Sequence, residues 1–384
     1  MFSRETPAVV TSDHACEAVV LICSEGLVST TTVLNAMTLT RRRYLAAVGA
    51  ASVAGCSTLP SVPGGSGSDE ASLLLNWKPN GLHVPYYAAK DRGYYADAGI
   101  ELSTIDAGNG SDFSAKQAGL GNVPFAISSS DQVLNVNSRG LSPVSVGVVM
   151  QMSPVVLFAT RSGLGEPLTD IGQLSGKRVG TGPGMVRIMT KLLLENAGIR
   201  SSVELVDTGY GTVQQLLAGE VDAAGGVFAD AVAARANGAT VDAVPAADTI
   251  PSYGHVVVTS REYADANPGA VRSFLRATVR GAAWAQRNPG AAVDTLVDAN
   301  GALAESRDQQ RAIWETLATR YMVSQAVTAH GWGWSEAEPW SRTAAMLAEA
   351  DFLGGDVDPD AVWTNAYLDA DTRYGSSTAT GDGE

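Results

Sequence analysis

Residues 72–102 read SLLLNWKPNGLHVPYYAAKDRGYYADAGIEL. An apolar run at 72–77 stops at the turn-forming Lys78-Pro79-Asn80-Gly81, a helical stretch fills 83–99, and a second strand-like run starts at Ile100. Strand, turn, helix and strand within about thirty residues make the βα unit of a parallel sheet. Working outward, the alternation continues. Strands are expected at 124–130, 142–150 and 153–161, with helices at 111–121 and 131–140. A second cycle follows, with strands at 177–184, 203–208, 221–228 and 241–246 and helices at 185–198, 212–220 and 229–238. After a strand at 253–260 the chain turns helical at 267–290 and 306–322, where Asn267-Pro268 and Asn288-Pro289 mark helix starts.

Two such cycles predict an α/β protein of two lobes with mainly parallel sheets and a ligand cleft at the strand carboxyl ends between them. One larger sheet is the alternative. The expected first lobe is discontinuous, 72–159 plus 253–370. The second is 160–252, and the hinge falls near 158–162 and 250–255. The last 35 or so residues before the tail would pack back on the first lobe. The stretch 371–384, GSSTATGDGE at its end, reads as a disordered tail.

The 384 residues are 17% charged and 45% hydrophobic, which excludes a disordered chain, a collagen-like fibre and a disulfide-stapled miniprotein. Forty acids against 26 bases leave a net charge of −14, so nucleic acid is not an expected partner. Five lysines stand beside 21 arginines. An acidic, lysine-poor surface suits strong salt, where carboxylate repulsion is screened, and points to a halophilic source; a GC-rich genome gives the same bias.

The only cysteines are Cys16, Cys23 and Cys56, so neither a disulfide nor a thiolate metal site is expected in the folded part. Residues 37–56 combine Thr40-Arg41-Arg42-Arg43-Tyr44-Leu45, a short apolar stretch and Val53-Ala54-Gly55-Cys56. This order resembles a twin-arginine lipoprotein signal peptide with Cys56 as its lipidation site, and the apolar run is too short to span a bilayer. A buried amphipathic helix is the other reading. Residues 57–71, rich in Pro, Gly and Ser, read as a flexible linker, and 1–36 as an extension or misassigned start.

Enzyme signatures are scarce. His14, His83, His255 and His330 are far apart, and neither a metalloprotease motif nor a G-x-S-x-G elbow occurs. The candidate binding residues lie at expected strand ends. Trp77, Tyr86 and Tyr87 offer ring faces, while Asn76, Asn80 and His83 offer directed hydrogen bonds. Trp77 as core, Asn80 as a turn former and His83 as a helix-start residue are the competing readings. Further candidates are Ser128, Ser129, Gly182, Gly184, Met185, Phe228, Asp230 and Tyr253 with His255. The serines and Asp131 could equally cap the next helix. Trp284, Trp314, Trp332, Trp334, Trp340 and Trp363 are expected as packing anchors.

The opening stretch, together with LSGKRVGTGPG, AGEVDAAGG, ANPGAVRSFLRATVRGAAWAQRNPG and WTNAYL, resembles the family of ABC-importer substrate-binding proteins for thiamine-pyrimidine precursors, riboflavin, sulfonates and nitrate. That family also contains a fungal thiamine pyrimidine synthase. The resemblance runs from about residue 72 to 368. It implies a two-lobed type II periplasmic-binding-protein fold with hinge and inter-lobe cleft. It also implies a small-molecule ligand and ABC permease and ATPase partners. With the signal read at 37–56, the expected location is extracytoplasmic, anchored to the outer face of the cell membrane through lipid on Cys56.

The departures favour a carrier without cofactor over an enzyme. The synthase's cofactor-bearing lysine and its substrate histidine fall on Ser128 and Gln132, and its cysteine-rich stretch falls on 249–253, TIPSY. The acidic residue of the aminopyrimidine carriers falls on Phe228, with Asp230 nearby, and a synthase glutamate falls on Gly184. An aromatic there suits a flavin or another neutral heterocycle. A synthase-like enzyme and a ligand sensor remain the alternatives.

Overall fold

The computed structural model describes residues 69–369. The extension 1–36, the signal 37–56 with Cys56, nearly all of the linker and the tail 371–384 lie outside the described residues. Two five-stranded sheets organise the rest. The first contains β1 (Asp69–Leu74), β2 (Ile100–Asp106), β3 (Phe125–Ser129) and β4 (Pro143–Val148). The second contains β5 (Val155–Thr160), β6 (Arg178–Thr181), β7 (Glu204–Asp207), β8 (Ala223–Val227) and β9 (Val241–Pro245). The chain then returns to the first sheet through β10 (His255–Ser260).

The strand orders are β2-β1-β3-β10-β4 and β7-β6-β8-β5-β9. They are the same topology twice. In each sheet four strands run one way, and the strand entered directly from a crossing, β10 or β5, runs antiparallel between two others. Strands β4, β5 and β10 are buried along their whole length, as strands covered on both faces must be.

One boundary is corrected. Strand β5 pairs Leu157 with Gly225 and Val244, so residues 155–159 belong with the second sheet and not with the first lobe. The chain therefore crosses at 149–154 and 246–254, earlier than the expected hinge at 158–162. Strands β4 and β5 follow each other with no helix between, which hid the change of sheet from the apolar pattern. The two crossings lie side by side: the Gly254 N–H donates to the Met150 carbonyl at 3.0 Å.

Helices flank both sheets. Those that position the site are α1 (Val84–Asp91), α2 (Ser111–Gly119), α3 (Ser130–Asn137), α4 (Met185–Asn196), α5 (Thr212–Leu217) and α6 (Phe228–Ala236). In the C-terminal part α7 (Pro268–Arg287) buries Val271, Phe274, Leu275, Thr278 and Ala282 along one stripe, with Pro268 in its first turn. The expected helix at 306–322 is α8 (Arg307–Thr316) followed by one wide π turn, Leu317–Tyr321. That turn lets Tyr321 stack on Phe228, with ring centroids 4.3 Å apart. The terminal segment returns to the open edge of β4, where Thr364 and Ser145 are joined by a 2.9 Å backbone bond. Trp314 and Trp340 are fully buried.

Candidate ligand cleft

The cleft floor begins where β1 ends. The Leu75 N–H donates to the Asp106 carbonyl at 2.8 Å, and the Gly110 N–H to the Asn76 carbonyl at 2.8 Å. This continuation of strand pairing fixes Asn76 and Trp77 on the first sheet's carboxyl edge. Gly108 makes it possible, because a Cβ there would lie 1.8 Å from the Leu75 carbonyl oxygen.

Three buried side chains form a chain across this edge. The Nε2 of His83 is 3.0 Å from Asn76 Oδ1, and Asn76 Nδ2 is 3.0 Å from Nε2 of His255. Asn76 Nδ2 also reaches Ser111 Oγ at 3.3 Å. His255 opens β10 in register with Ser129 at the end of β3, so β1, β3 and β10 deliver their polar ends to one place. Burial lowers the His83 pKa to about 3, helped by the nearby His255, and burial alone lowers that of His255 to about 4. Both imidazoles are neutral at pH 7.

The second sheet supplies the opposing wall. Trp77, just after β1, meets Tyr210, just after β7, with ring centroids 5.4 Å apart at 37°. Tyr210 is 79% exposed, the most exposed large apolar side chain among the described residues. Met185, at the start of α4, packs on both the second-lobe core and the first-lobe cluster of Leu74, Val133 and Tyr253. Gly184 precedes it at φ 69°, a backbone conformation that favours glycine and turns the β6 loop into the helix. The Gly182 carbonyl accepts from Thr181 Oγ1 at 3.1 Å. Arg187 of α4 pairs with Asp207 at 2.6 Å, which holds that carboxyl below its ordinary range.

Other sequence candidates have structural roles. Asn80 caps the short turn at 81–83: its Oδ1 accepts from the Leu82 N–H at 2.9 Å, and its Nδ2 donates to the Lys78 carbonyl. Tyr86 is buried in the core beneath α1, so its ring is not a ligand face, and burial raises its pKa. Tyr87 is also buried, with a hydrogen bond to Asn300. Ser128 donates to the Ser111 carbonyl at 2.8 Å and holds α2 in place. Ser129 takes the N-cap position of α3 and bonds to the Asp131 carboxyl.

Asp131 is buried with its pKa raised by desolvation, and it accepts from the Gln132 side chain at 2.6 Å. Asp230 accepts from the Val227 N–H at 2.8 Å at the start of α6, and burial raises its pKa too. It is a helix-start acceptor, not a free countercharge. One face of Phe228 is covered by Tyr321, so the expected stacking surface is a lobe-to-lobe contact beside a cavity of about 130 Å³. Tyr253 points away from the floor: its hydroxyl accepts from the Glu336 N–H at 2.8 Å.

Sequence reasoning missed Tyr210. The available signal was an aromatic flanked by two glycines directly after an expected strand. Among the described residues, no group of three or more His, Cys, Asp or Glu is placed to hold a metal, and no helix is long and apolar enough to cross a membrane.

Two similar sheets joined by paired crossings define the class of the molecule, a two-lobed periplasmic-binding-protein fold. The aliphatic sulphonate binding protein SsuA of Escherichia coli shares that fold with a TM-score of 0.60 at 14% identity, over 77% of this chain and 91% of its own. The chain belongs to the NMT1/THI5-like family, whose model matches residues 80–292.

Its relatives include the riboflavin-binding protein RibY of Chloroflexus aurantiacus, 26% identical over 78% of this chain and 86% of that protein. The formylaminopyrimidine-binding protein of Halalkalibacterium halodurans is 25% identical over 74% and 86%. The family also holds enzymes: a 4-amino-5-hydroxymethyl-2-methylpyrimidine phosphate synthase of Legionella pneumophila is 28% identical over 79% and 93%.

Proposed function

We propose that this chain is an extracytoplasmic solute-binding lipoprotein of an ABC importer that captures a flat heterocycle, riboflavin or a thiamine pyrimidine precursor, and hands it to the permease. The observation that carries this reading is the pair Trp77 and Tyr210, one ring from each lobe, above a buried polar floor. The two rings touch in this structure, so a flat ligand would take the place of their mutual contact and be held by one ring from each lobe. Only a ligand that touches both lobes favours closure. The crossings at 149–154 and 246–254 are the hinge. The names of RibY and the formylaminopyrimidine-binding protein support this ligand class.

The residues at the synthase's reactive positions favour binding over chemistry. Ser128 is tied to the Ser111 carbonyl and Gln132 to Asp131 and Asn135. Neither side chain can form a Schiff base or act as an imidazole. An absorbance band of bound pyridoxal phosphate in the purified protein would revive the enzyme.

Calorimetry and thermal shift with riboflavin, pyrimidines, taurine and nitrate test the reading. One heterocycle binding at one per chain is expected, with about 2.7 kcal/mol of stabilisation at a hundredfold excess over Kd. No stabilisation across the panel would reject it. The proposed processing predicts a mature, lipidated N-terminus at Cys56 by mass spectrometry. The halophilic reading predicts a melting temperature that climbs with salt as the −14 charge is screened.

A further inference from the structure

We propose that His83, Asn76 and His255 form a polarity-fixing relay that leaves the Nδ1–H of His255 as a permanent hydrogen-bond donor at the cleft floor, so that the ligand must place an acceptor there, a carbonyl oxygen or an unprotonated ring nitrogen. The relay stands on its own geometry; its use in ligand selection rests on the binding role proposed above.

The direction is set by a group with no choice. The backbone N–H of Asn80 can only donate, and it lies 3.2 Å from Nδ1 of His83. That nitrogen therefore carries a lone pair, and the proton of the neutral ring is on Nε2. The Nε2–H, 3.0 Å from Asn76, donates to the amide oxygen. With its oxygen on that side, the Asn76 amide turns its NH2 toward His255 and donates to Nε2 at 3.0 Å. A neutral imidazole has one proton, so that of His255 must be on Nδ1. Reversing any member would set two donors or two acceptors against each other inside the protein.

No hydrogen bond to Nδ1 of His255 is seen among the described residues. The residue is 8% exposed, and Nδ1 is not one of the buried polar atoms left without a partner, so it is open to solvent. A donor that meets only water is free to be met by something else. Its place supplies the something else. His255 stands at the carboxyl-end level of β1 and β3, beside Asn76, whose chain neighbour is the Trp77 that faces Tyr210. Burial opposes charge on either ring, so the donor is a neutral N–H and does not demand an anion. An amino group placed against it would meet donor with donor.

The test is nitrogen-15 NMR of the histidine rings in the full chain, which has four, with His255→Asn and His83→Asn variants to assign the signals. At pH 7 the ligand-free protein is expected to show His83 as the neutral Nε2–H form and His255 as the neutral Nδ1–H form. His255 protonated on Nε2, averaging between tautomers or charged would overturn the relay, whatever binds. Riboflavin is the probe for selection. Its addition is expected to shift the His255 Nδ1–H signal, and His255→Phe is expected to weaken its binding about tenfold or more. Equal binding by His255→Phe would overturn the donor role. Absence of riboflavin binding beside an intact Nδ1–H counts against the proposed ligand and leaves the relay standing on its spectrum.

Discussion

The two lobes share one topology and present opposite kinds of surface to the cleft. The first lobe's edge is a wired polar floor: His83, Asn76, His255, Ser128 and Ser130 each hold a fixed partner. The second lobe's edge is glycine-rich backbone, Gly182, Gly184, Gly225 and Gly226, capped by one exposed ring, Tyr210. A clamp gains from this division. Directional hydrogen bonds need a preorganised frame, whereas the closing jaw needs close approach and one large face.

The sharpest contrast between the lobes is in their tight glycines. Gly108→Ala in the first lobe puts a methyl 1.8 Å from the rigid Leu75 carbonyl, so about 3 kcal/mol or more of stability should be lost. Gly225→Ala in the second lobe meets the buried Thr190 side chain, Oγ1 at 1.9 Å and Cβ at 3.1 Å. That side chain yields only by shifting its helix but is not backbone of the same sheet, so a smaller loss of about 2 kcal/mol is expected. Denaturant midpoints of the two variants check the order. Equal losses would mean that the floor is no stiffer than the jaw.

Acid should act on the first lobe before the second. The His83 and His255 pKa values in the fold lie below the ordinary 6.5, so the unfolded chain binds more protons between about pH 6.5 and 3. Stability therefore falls as pH drops through that window. The raised carboxyls of Asp131 and Asp230 act in the opposite sense: protonation just above the ordinary carboxylate range favours the fold and offsets part of the loss. Each unit of histidine shift corresponds to about 1.4 kcal/mol at its limit. Thermal melts from pH 7 to 4 should show a decline that is shallower in His255→Gln. An unchanged slope would contradict the burial of that ring's neutral form.

The smallest stability effect belongs to Tyr210. Its ring is exposed, so Tyr210→Ala should leave the unfolding free energy within about 0.5 kcal/mol of the parent. Ligand affinity should fall by about 1 kcal/mol or more through loss of the aromatic wall. Trp77→Ala should lower both, since Trp77 is half-buried against the floor.

Much of this was legible in the chain. Apolar runs alternating with helical stretches place nearly every strand, and Lys78-Pro79-Asn80-Gly81 reads correctly as a turn. Asn80 then proves to be that turn's cap. What could not be read is whatever depends on partners far apart. The sheet to which β5 belongs is decided by pairing with β8 and β9. The Asn76–His255 contact spans 179 positions. Tyr86 and Tyr87 are adjacent aromatics on the first helix, and only the packed fold assigns both to the core and to anchoring.

The central claim is that the protein grips a small molecule between its lobes and releases it unchanged. Native mass spectrometry of the purified chain with riboflavin or the thiamine pyrimidine measures this directly. A single noncovalent adduct that dissociates to the original mass is the expected result; a transformed product, or a spectrum free of adduct with every compound offered, would contradict it.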